Sequence, residues 1–275
     1  VKQEKYDLIF NIAEGLKGRG REGQVPSILE VFNQPYSGSD PVTMGVTLDK
    51  TLAKIIAAHA GVLTPRWMQA QTPDEIKNIH LTFPVIVKPT CEGTSKGVSA
   101  DSLCRNKEEL VVQVEKINKR YHQPSLIEEF IVGSEYTVAL IGNGNAQALP
   151  PVQILIQGTA DLGEEFYTTE RVYNQDIGYV CPDNIPVQLQ KELKQSAVTA
   201  YKALGCRDFG RIDFRVDKEG RAFFLECNPL PNISRSDVFP LIAEKMGLDY
   251  SKIIVWILNQ ALTRYHLISS QVVSS

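Results

Sequence analysis

Apolar positions first gather over 6–12 (YDLIFNI), a run that predicts one short buried strand. A Gly-rich charged loop over 14–24 follows, and 25–32 has the spacing of an amphipathic helix. The pattern over 47–60 predicts a second helix, with Leu48, Leu52, Ile55 and Ile56 inward and Gly61 as its stop. Lys50 and Lys54 fall one turn apart on one side of it. Residues 84–88 (PVIVK) read as a buried strand, 107–119 as a helix, and 125–131 and 135–141 as strands. A turn at 142–145 leads to a strand over 146–156 that Pro150 and Pro151 interrupt. Residues 157–184 are polar and irregular. A helix opening at Pro186 places Leu189, Leu193, Ala197, Ala200, Tyr201 and Leu204 on one face, and Gly205 ends it. A last helix covers 250–263. The order predicts an α+β chain, mostly antiparallel after residue 84.

The segment 210–234 (GRIDFRVDKEGRAFFLECNPLPNIS) alternates on both sides of the turn Asp217-Lys218-Glu219-Gly220, which predicts a hairpin. Strict alternation puts Ile212, Phe214 and Val216 on one face of the first strand and Arg211 and Asp213 on the other. On the second strand it groups Phe223, Leu225 and Cys227, and separately Phe224, Glu226 and Asn228. Asp213 then lies opposite Glu226 or one pair away. Two close carboxylates repel unless a cation separates them, and two carboxylates with an amide oxygen suit Mg²⁺. The other reading is a solvated sheet face with Arg211 neutralising the acids. Pro229-Leu230-Pro231 ends the strand, so the acids gather beside a loop, a common place for a site.

Composition narrows the field. The 275 residues carry a net charge of −3 with no basic block, which argues against nucleic acid as a partner. Five scattered cysteines without CxxC point to a reducing, cytoplasmic setting rather than a disulfide framework or structural zinc. The longest apolar run, 253–258, is too short to span a bilayer, and no membrane partner or leader is expected. The chain opens at Val1, which suggests a processed or truncated start, and 269–275 reads as a frayed tail.

Two further stretches carry chemistry. Lys88 ends PVIVK and precedes EGTSKG, where Gly93 and Gly97 would let backbone N–H groups approach a phosphate and Thr94 and Ser95 add hydroxyls. The Walker A spacing is absent, and a plain turn is the alternative. SLIEEFI, from Ser125, combines acids with apolar residues, as an adenosine site needs, or is an edge strand with solvated acids.

Together these stretches resemble the ATP-grasp superfamily and, within it, the D-alanine–D-alanine ligases. The markers stand in family order over nearly the whole chain: REGQVPSILE…QPYSGSD, LDKTLAKIIAAHAG, FPVIVKPTCEGTSKGVS, LIEEFIVGSEYTV, FYTTERVY…CP, LGCRDFGRIDF and FFLECNPLPNIS. The resemblance implies an ATP-grasp fold of two α+β subdomains. It divides the chain into a partial N-terminal α/β region (1–46), linker helices with the small subdomain (47–124), the large subdomain with the metal site (125–268) and a tail (269–275).

It also implies roles. Lys50 and Lys88 match lysines that touch ATP phosphates; Glu128, Glu129, Phe130 and Ile131 match the adenine-binding segment, and Glu135 the ribose acid. Asp213, Glu226 and Asn228 match ligands of two Mg²⁺ ions, for which Mn²⁺ is a substitute. Arg211 matches the arginine that stabilises the acyl phosphate, and Thr94 and Tyr173 a water-excluding lid made by the EGTSKG loop and 157–180. Asn232, Ser236 and Asp237 match the second-substrate loop. The implied reaction is ATP- and Mg²⁺-dependent amide formation between amino acids through an acyl phosphate, as in peptidoglycan synthesis, by an enzyme that pairs as a homodimer.

Three departures qualify the substrate. The family's opening strand and its ammonium-binding glutamate have no counterpart. Val172 stands where the family has lysine, with Arg171 beside it as the alternative cation. Asp237 stands where the family has a carboxylate-binding serine, with Ser236 one residue away. The other readings are therefore a ligase of the same fold acting on a different amino acid or amino-acid-like metabolite, a truncated nucleotide-binding protein without catalysis, and a phosphotransferase with a hydroxyl acceptor.

Overall fold

The computed structural model describes residues 6–268. Val1 and the expected tail at 269–275 lie outside the described residues. The apolar run over 6–12 forms no strand of its own: Ile9 makes a single parallel bridge to Tyr36. Three helices follow, α1 (Gln24–Val31), α2 (Pro41–Leu48) and α3 (Lys50–His59). The single helix expected over 47–60 is thus broken at Asp49. Its backbone is extended, and its carboxylate accepts from Thr51 N at 3.1 Å and Leu52 N at 3.2 Å, so it caps α3. The unforeseen α2 opens on Asp40-Pro41, a capping acid followed by a proline at the first helical position. The inward face of α3 also differs from expectation: it buries Thr51, Ala53, Lys54 and Ala57, while Ile55 is exposed.

The first sheet has four antiparallel strands, β1 (Trp67–Ala70), β2 (Val85–Pro89), β3 (Leu103–Cys104) and β4 (Ser125–Glu129), in the order β1-β4-β2-β3. Helix α4 (Lys107–Tyr121) packs Leu110, Val114 and Ile117 against Val85, Val87 and Ile127. Because β4 pairs with β1 and β2, the division between the sheets falls after Glu129 rather than at 125.

The second sheet comprises β5 (Ser134–Ile141), β6 (Gln147–Ala148), β7 (Val152–Ile156), β8 (Ile177–Val180), β9 (Phe209–Val216) and β10 (Ala222–Asn228). Its order is β10-β9-β5-β7-β8, with β6 on β5. The segment expected to be irregular contains β8 and the short helix α5 (Thr169–Tyr173). Helix α6 (Val187–Ala203) packs Leu193, Ala197, Ala200 and Tyr201 against Tyr136, Val138 and Leu140. Helices α7 (Val238–Lys245) and α8 (Tyr250–Arg264) cover the other face, where Phe239, Ile242, Ile253 and Ile257 meet Ala139 and Ile141.

The hairpin forms, with one correction. Phe214 pairs with Phe224 and Asp213 with Glu226, so Leu225 is an extra residue in β10. Such a bulge resets the alternation. Phe224 is therefore fully buried against Phe214, with ring centroids 6.4 Å apart, instead of sharing the face of Glu226. Leu225 leaves the core and lines the cleft beside Glu226.

Candidate active site

A cleft of about 1130 Å³ is lined by residues of both sheets. β2 and its following loop, the end of β4, the β9–β10 hairpin and the loop before α7 all contribute. Every site residue expected from the sequence lines it except Tyr173. That side chain is 82% exposed and borders an adjoining depression with Thr94 and Val172.

The hairpin carries the charged floor. Alternation along β9 turns Arg211, Asp213 and also Arg215 toward the cleft. Arg211 lies 3.2 Å from Asp213 through Nε and 3.4 Å from Asp237 Oδ1. Thr137 Oγ1 donates to Asp213 Oδ1 at 2.5 Å and Asn228 Nδ2 to Asp213 Oδ2 at 2.8 Å. The Asn228 amide hydrogens are thus turned to Asp213. Glu226 pairs with Lys50 at 3.3 Å. Burial pushes the Asp213 carboxyl up, with Arg211 opposing and Glu226 adding to the rise. Burial acts on Glu226 in the same sense, but Lys50, Lys88 and Arg211 outweigh it and hold that carboxyl low. Among the described residues no group of three or more His, Cys, Asp or Glu side chains is arranged to hold a metal. The donor set here is two facing carboxylates and one amide oxygen. Two carboxylates set opposite in register, Asp213 buried and Glu226 partly open to the cleft, beside an amide oxygen, fit a hard divalent cation.

Lys88 and Glu128 belong to a charge network that includes a residue given no role above. Glu128 on β4 is buried, and its two oxygens lie 2.5 Å from Lys54 Nζ and 2.7 Å from Lys88 Nζ. Burial raises its carboxyl, yet the two lysines more than offset this and bring it down to about 2. The Glu128 carboxylate is therefore the counter-ion that aims Lys88. Lys54 Nζ also donates to Thr64 Oγ1 at 2.9 Å and to the Phe224 carbonyl at 3.1 Å. The i, i+4 spacing from Lys50 was the available signal. Its fully buried position was not legible, because the three residues it meets, Glu128, Thr64 and Phe224, come from three separate segments.

Arg215 was also missed, although the alternation that selected Arg211 and Asp213 continues to it. It lies 3.4 Å from Glu135 and donates to the carbonyls of Ile131, Gly163 and Glu165 at 3.1, 2.8 and 2.9 Å. Its guanidinium also stands 5.0 Å over the Phe130 ring. Burial pushes the Glu135 carboxyl up despite Arg215. Glu129 instead turns to Arg66 and to Thr82 N, at 3.1 and 2.8 Å.

The two lid segments touch. Thr169 Oγ1 donates to the Ser95 carbonyl at 2.6 Å, and Thr169 N to the Val98 carbonyl at 3.0 Å. Thr94 and Ser95 hold positive φ of 51° and 52°, consecutive left-handed conformations that are costly for residues other than glycine. Arg171, the cation beside Val172, is turned away from the cleft. It pairs with Glu165, donates to the Phe166 carbonyl and does not line the cleft. In the loop before α7, Asn232 Oδ1 accepts from Ser234 N at 2.8 Å, and the Ser234 and Ser236 hydroxyls lie 3.0 Å apart. Asp237 Oδ1 caps α7 by accepting from Val238 N at 2.7 Å.

Comparison with known proteins agrees with this geometry. The D-ala D-ala ligase C-terminus family matches residues 53–259. The protein y4sG of Sinorhizobium fredii is 36% identical over 94% of this chain and 75% of its own length. The D-alanine–D-alanine ligase of Bordetella avium is 32% identical over 90% of this chain and 76% of its own. The VanG D-Ala:D-Ser ligase structure from Enterococcus faecalis superposes with a TM-score of 0.78 at 26% identity, covering 94% of this chain and 74% of that one. The ATP complex of the D-alanine–D-alanine ligase from Bacillus anthracis gives 0.71 at 26% identity, over 93% and 79%. With three quarters of its length matched to one family and its two sheets arranged as in the solved ligases, this chain belongs to the D-alanine–D-alanine ligase family of the ATP-grasp superfamily.

Proposed function

We propose that this chain is an ATP-dependent ligase that activates a carboxylate as an acyl phosphate and passes the acyl group to an amine, forming an amide. The observation that carries the reading is Arg211 on the same strand face as Asp213, opposite Glu226 and Asn228, in a cleft that also holds Lys50 and Lys88. Asp213, Glu226 and Asn228 would hold Mg²⁺, which supplies charge neutralisation for the phosphates of ATP.

The chain's own residues do the rest. Lys50 and Lys88, turned inward by Glu226 and Glu128, face the transferred phosphoryl group. Arg211 is held by two acids in a fixed orientation and stabilises the charge that grows on the acyl oxygen as the amine attacks. The Ser95–Thr169 contact closes the lid, which keeps water from hydrolysing the acyl phosphate. Glu128 to Ile131 and Glu135 with Arg215 are the adenosine side of the cleft. The ligases among the relatives named above act on D-alanine, and one on D-alanine with D-serine, which supports small amino-acid or amino-acid-like substrates here. Among the described residues no helix is long and apolar enough to cross a membrane.

Hydroxylamine intercepts acyl phosphates as stable hydroxamates without needing the natural amine. Purified protein with Mg·ATP, hydroxylamine and D- or L-amino acids as carboxylate donors is expected to give an ATP-dependent hydroxamate. Asp213→Asn should lower the yield by about 100-fold. ADP formation with a stable phosphorylated product and no hydroxamate would replace this reading with a phosphotransferase.

A further inference from the structure

Beyond Arg211 the cleft is bordered by Asn232, Ile233, Ser234, Ser236 and Asp237. Resting on the ligase reading, which seats the attacking amine in this corner, we propose that Asp237 selects an amine carrying a neutral or cationic group there rather than a carboxylate.

Two features of this corner would ordinarily attract a carboxylate: the Arg211 guanidinium and the first N–H of α7. Both are already taken by one oxygen. Asp237 Oδ1 lies 3.4 Å from Arg211 NH1 and accepts from Val238 N at 2.7 Å. The remaining Arg211 contacts go to Asp213, at 3.2 and 3.4 Å. One guanidinium thus faces two carboxylates, and Asp237 alone matches its charge when Asp213 turns to Mg²⁺. The other cations lining the cleft are each paired: Lys50 with Glu226, Lys88 with Glu128, Lys96 with Glu92 and Arg215 with Glu135. Arg235, on the same loop, stands 5.4 Å over the Tyr250 ring and does not line the cleft.

What this corner presents to a ligand is different in kind. The Asp237 side chain is nearly buried, and its Oδ2 makes no hydrogen bond among the described residues. The Ser234 and Ser236 hydroxyls and the Asn232 amide are neutral. A carboxylate brought here would meet a like charge with no free cation to offset it. An ammonium, primary amide or hydroxyl would find an acceptor oxygen and neutral partners. The acceptor class is therefore an amine, an amino-acid amide or a diamine, and not an amino acid whose free α-carboxylate is seated in this corner.

D-alanine and D-alaninamide share a skeleton and an ammonium group and differ only in the carboxylate. Calorimetric titration of each into the full chain, with Mg²⁺ and a non-hydrolysable ATP analogue, reads the selectivity. D-alaninamide should bind at least about tenfold more tightly than D-alanine. Asp237→Asn, which keeps a capping side chain and loses the charge, should shrink that ratio by about tenfold. Asp237→Ser should do the same and serves as the second variant. A wild-type preference for D-alanine, a ratio unchanged in both variants, or no binding of either amine overturns the assignment. The hydroxamate reaction needs no natural amine, so it judges the ligase reading separately. Hydroxamate formed together with a D-alanine preference would end this proposal and leave the ligase; absence of hydroxamate would end the ligase reading itself.

Discussion

Lys54 has no exposed side-chain surface, and its ammonium group stands 2.5 Å from Glu128. Burying either charge alone costs several kcal/mol, so the pair persists only because each offsets the other and Lys88 completes it. Lys54→Met leaves Glu128 with one partner, and urea denaturation should show a loss of about 3–5 kcal/mol. The same network sets an acid sensitivity. The folded-state Glu128 carboxyl, at about 2, lies below its ordinary 4.5. Its contribution is thus complete above about pH 4.5 and is lost as pH falls toward 2. Glu128→Gln should flatten stability against pH across that window, and urea midpoints measured at steps from pH 5 to pH 2 would show it. Neither the burial of Lys54 nor the sharing of Glu128 could be read from sequence, since both depend on which distant segments converge. Arg211, Asp213, Glu226 and Asn228 were legible because a period of two along a hairpin already puts them together.

At the level of elements, local rules worked where one segment settles its own shape. Helix α6 follows its apolar spacing, and its buried residues are those the sequence grouped. They failed where a single residue changes phase. Asp49 splits one helix into two by capping the second, and Leu225 reverses the parity of β10 partway along. The connection from β4 to β5 carries a comparable constraint. Gly133 has φ 149°, and a Cβ there would lie 2.0 Å from the Val216 carbonyl oxygen. Gly133→Ala should therefore cost about 2 kcal/mol or more in urea denaturation, because backbone must move to admit the methyl group. The lid depends on a weaker contact. Thr169→Val removes the hydroxyl bonded to the Ser95 carbonyl, worth about 1 kcal/mol. Amides over 93–98 should exchange about fivefold faster in that variant, with an unchanged global melting temperature.

For the whole molecule, ligand binding and folding are linked. A nucleotide that spans the cleft touches residues of both sheets and so binds only the folded form. At a hundredfold excess over its dissociation constant it should add about 2.7 kcal/mol to unfolding stability. Mg·ATP should raise the melting temperature accordingly, and Asp213→Asn should lose most of the Mg²⁺-dependent part of that rise. The α+β class was legible because strand and helix periods differ, whereas the plan of two subdomains came from the resemblance of the ordered motifs. Strand β4 was assigned to the wrong sheet because a strand's own pattern does not say which neighbour it will pair with. The knot at Lys54 has one more consequence. Its ammonium joins β4 of one sheet, through Glu128, to β10 of the other, through the Phe224 carbonyl. Pulling the sheets apart at that point would part the ammonium from its carboxylate, whereas a rotation about it would keep the Lys54 contacts and break the Thr169–Ser95 bond at the lid. The two halves should therefore swing with the travel greatest at the lid, where the bond is weakest, and least at Lys54.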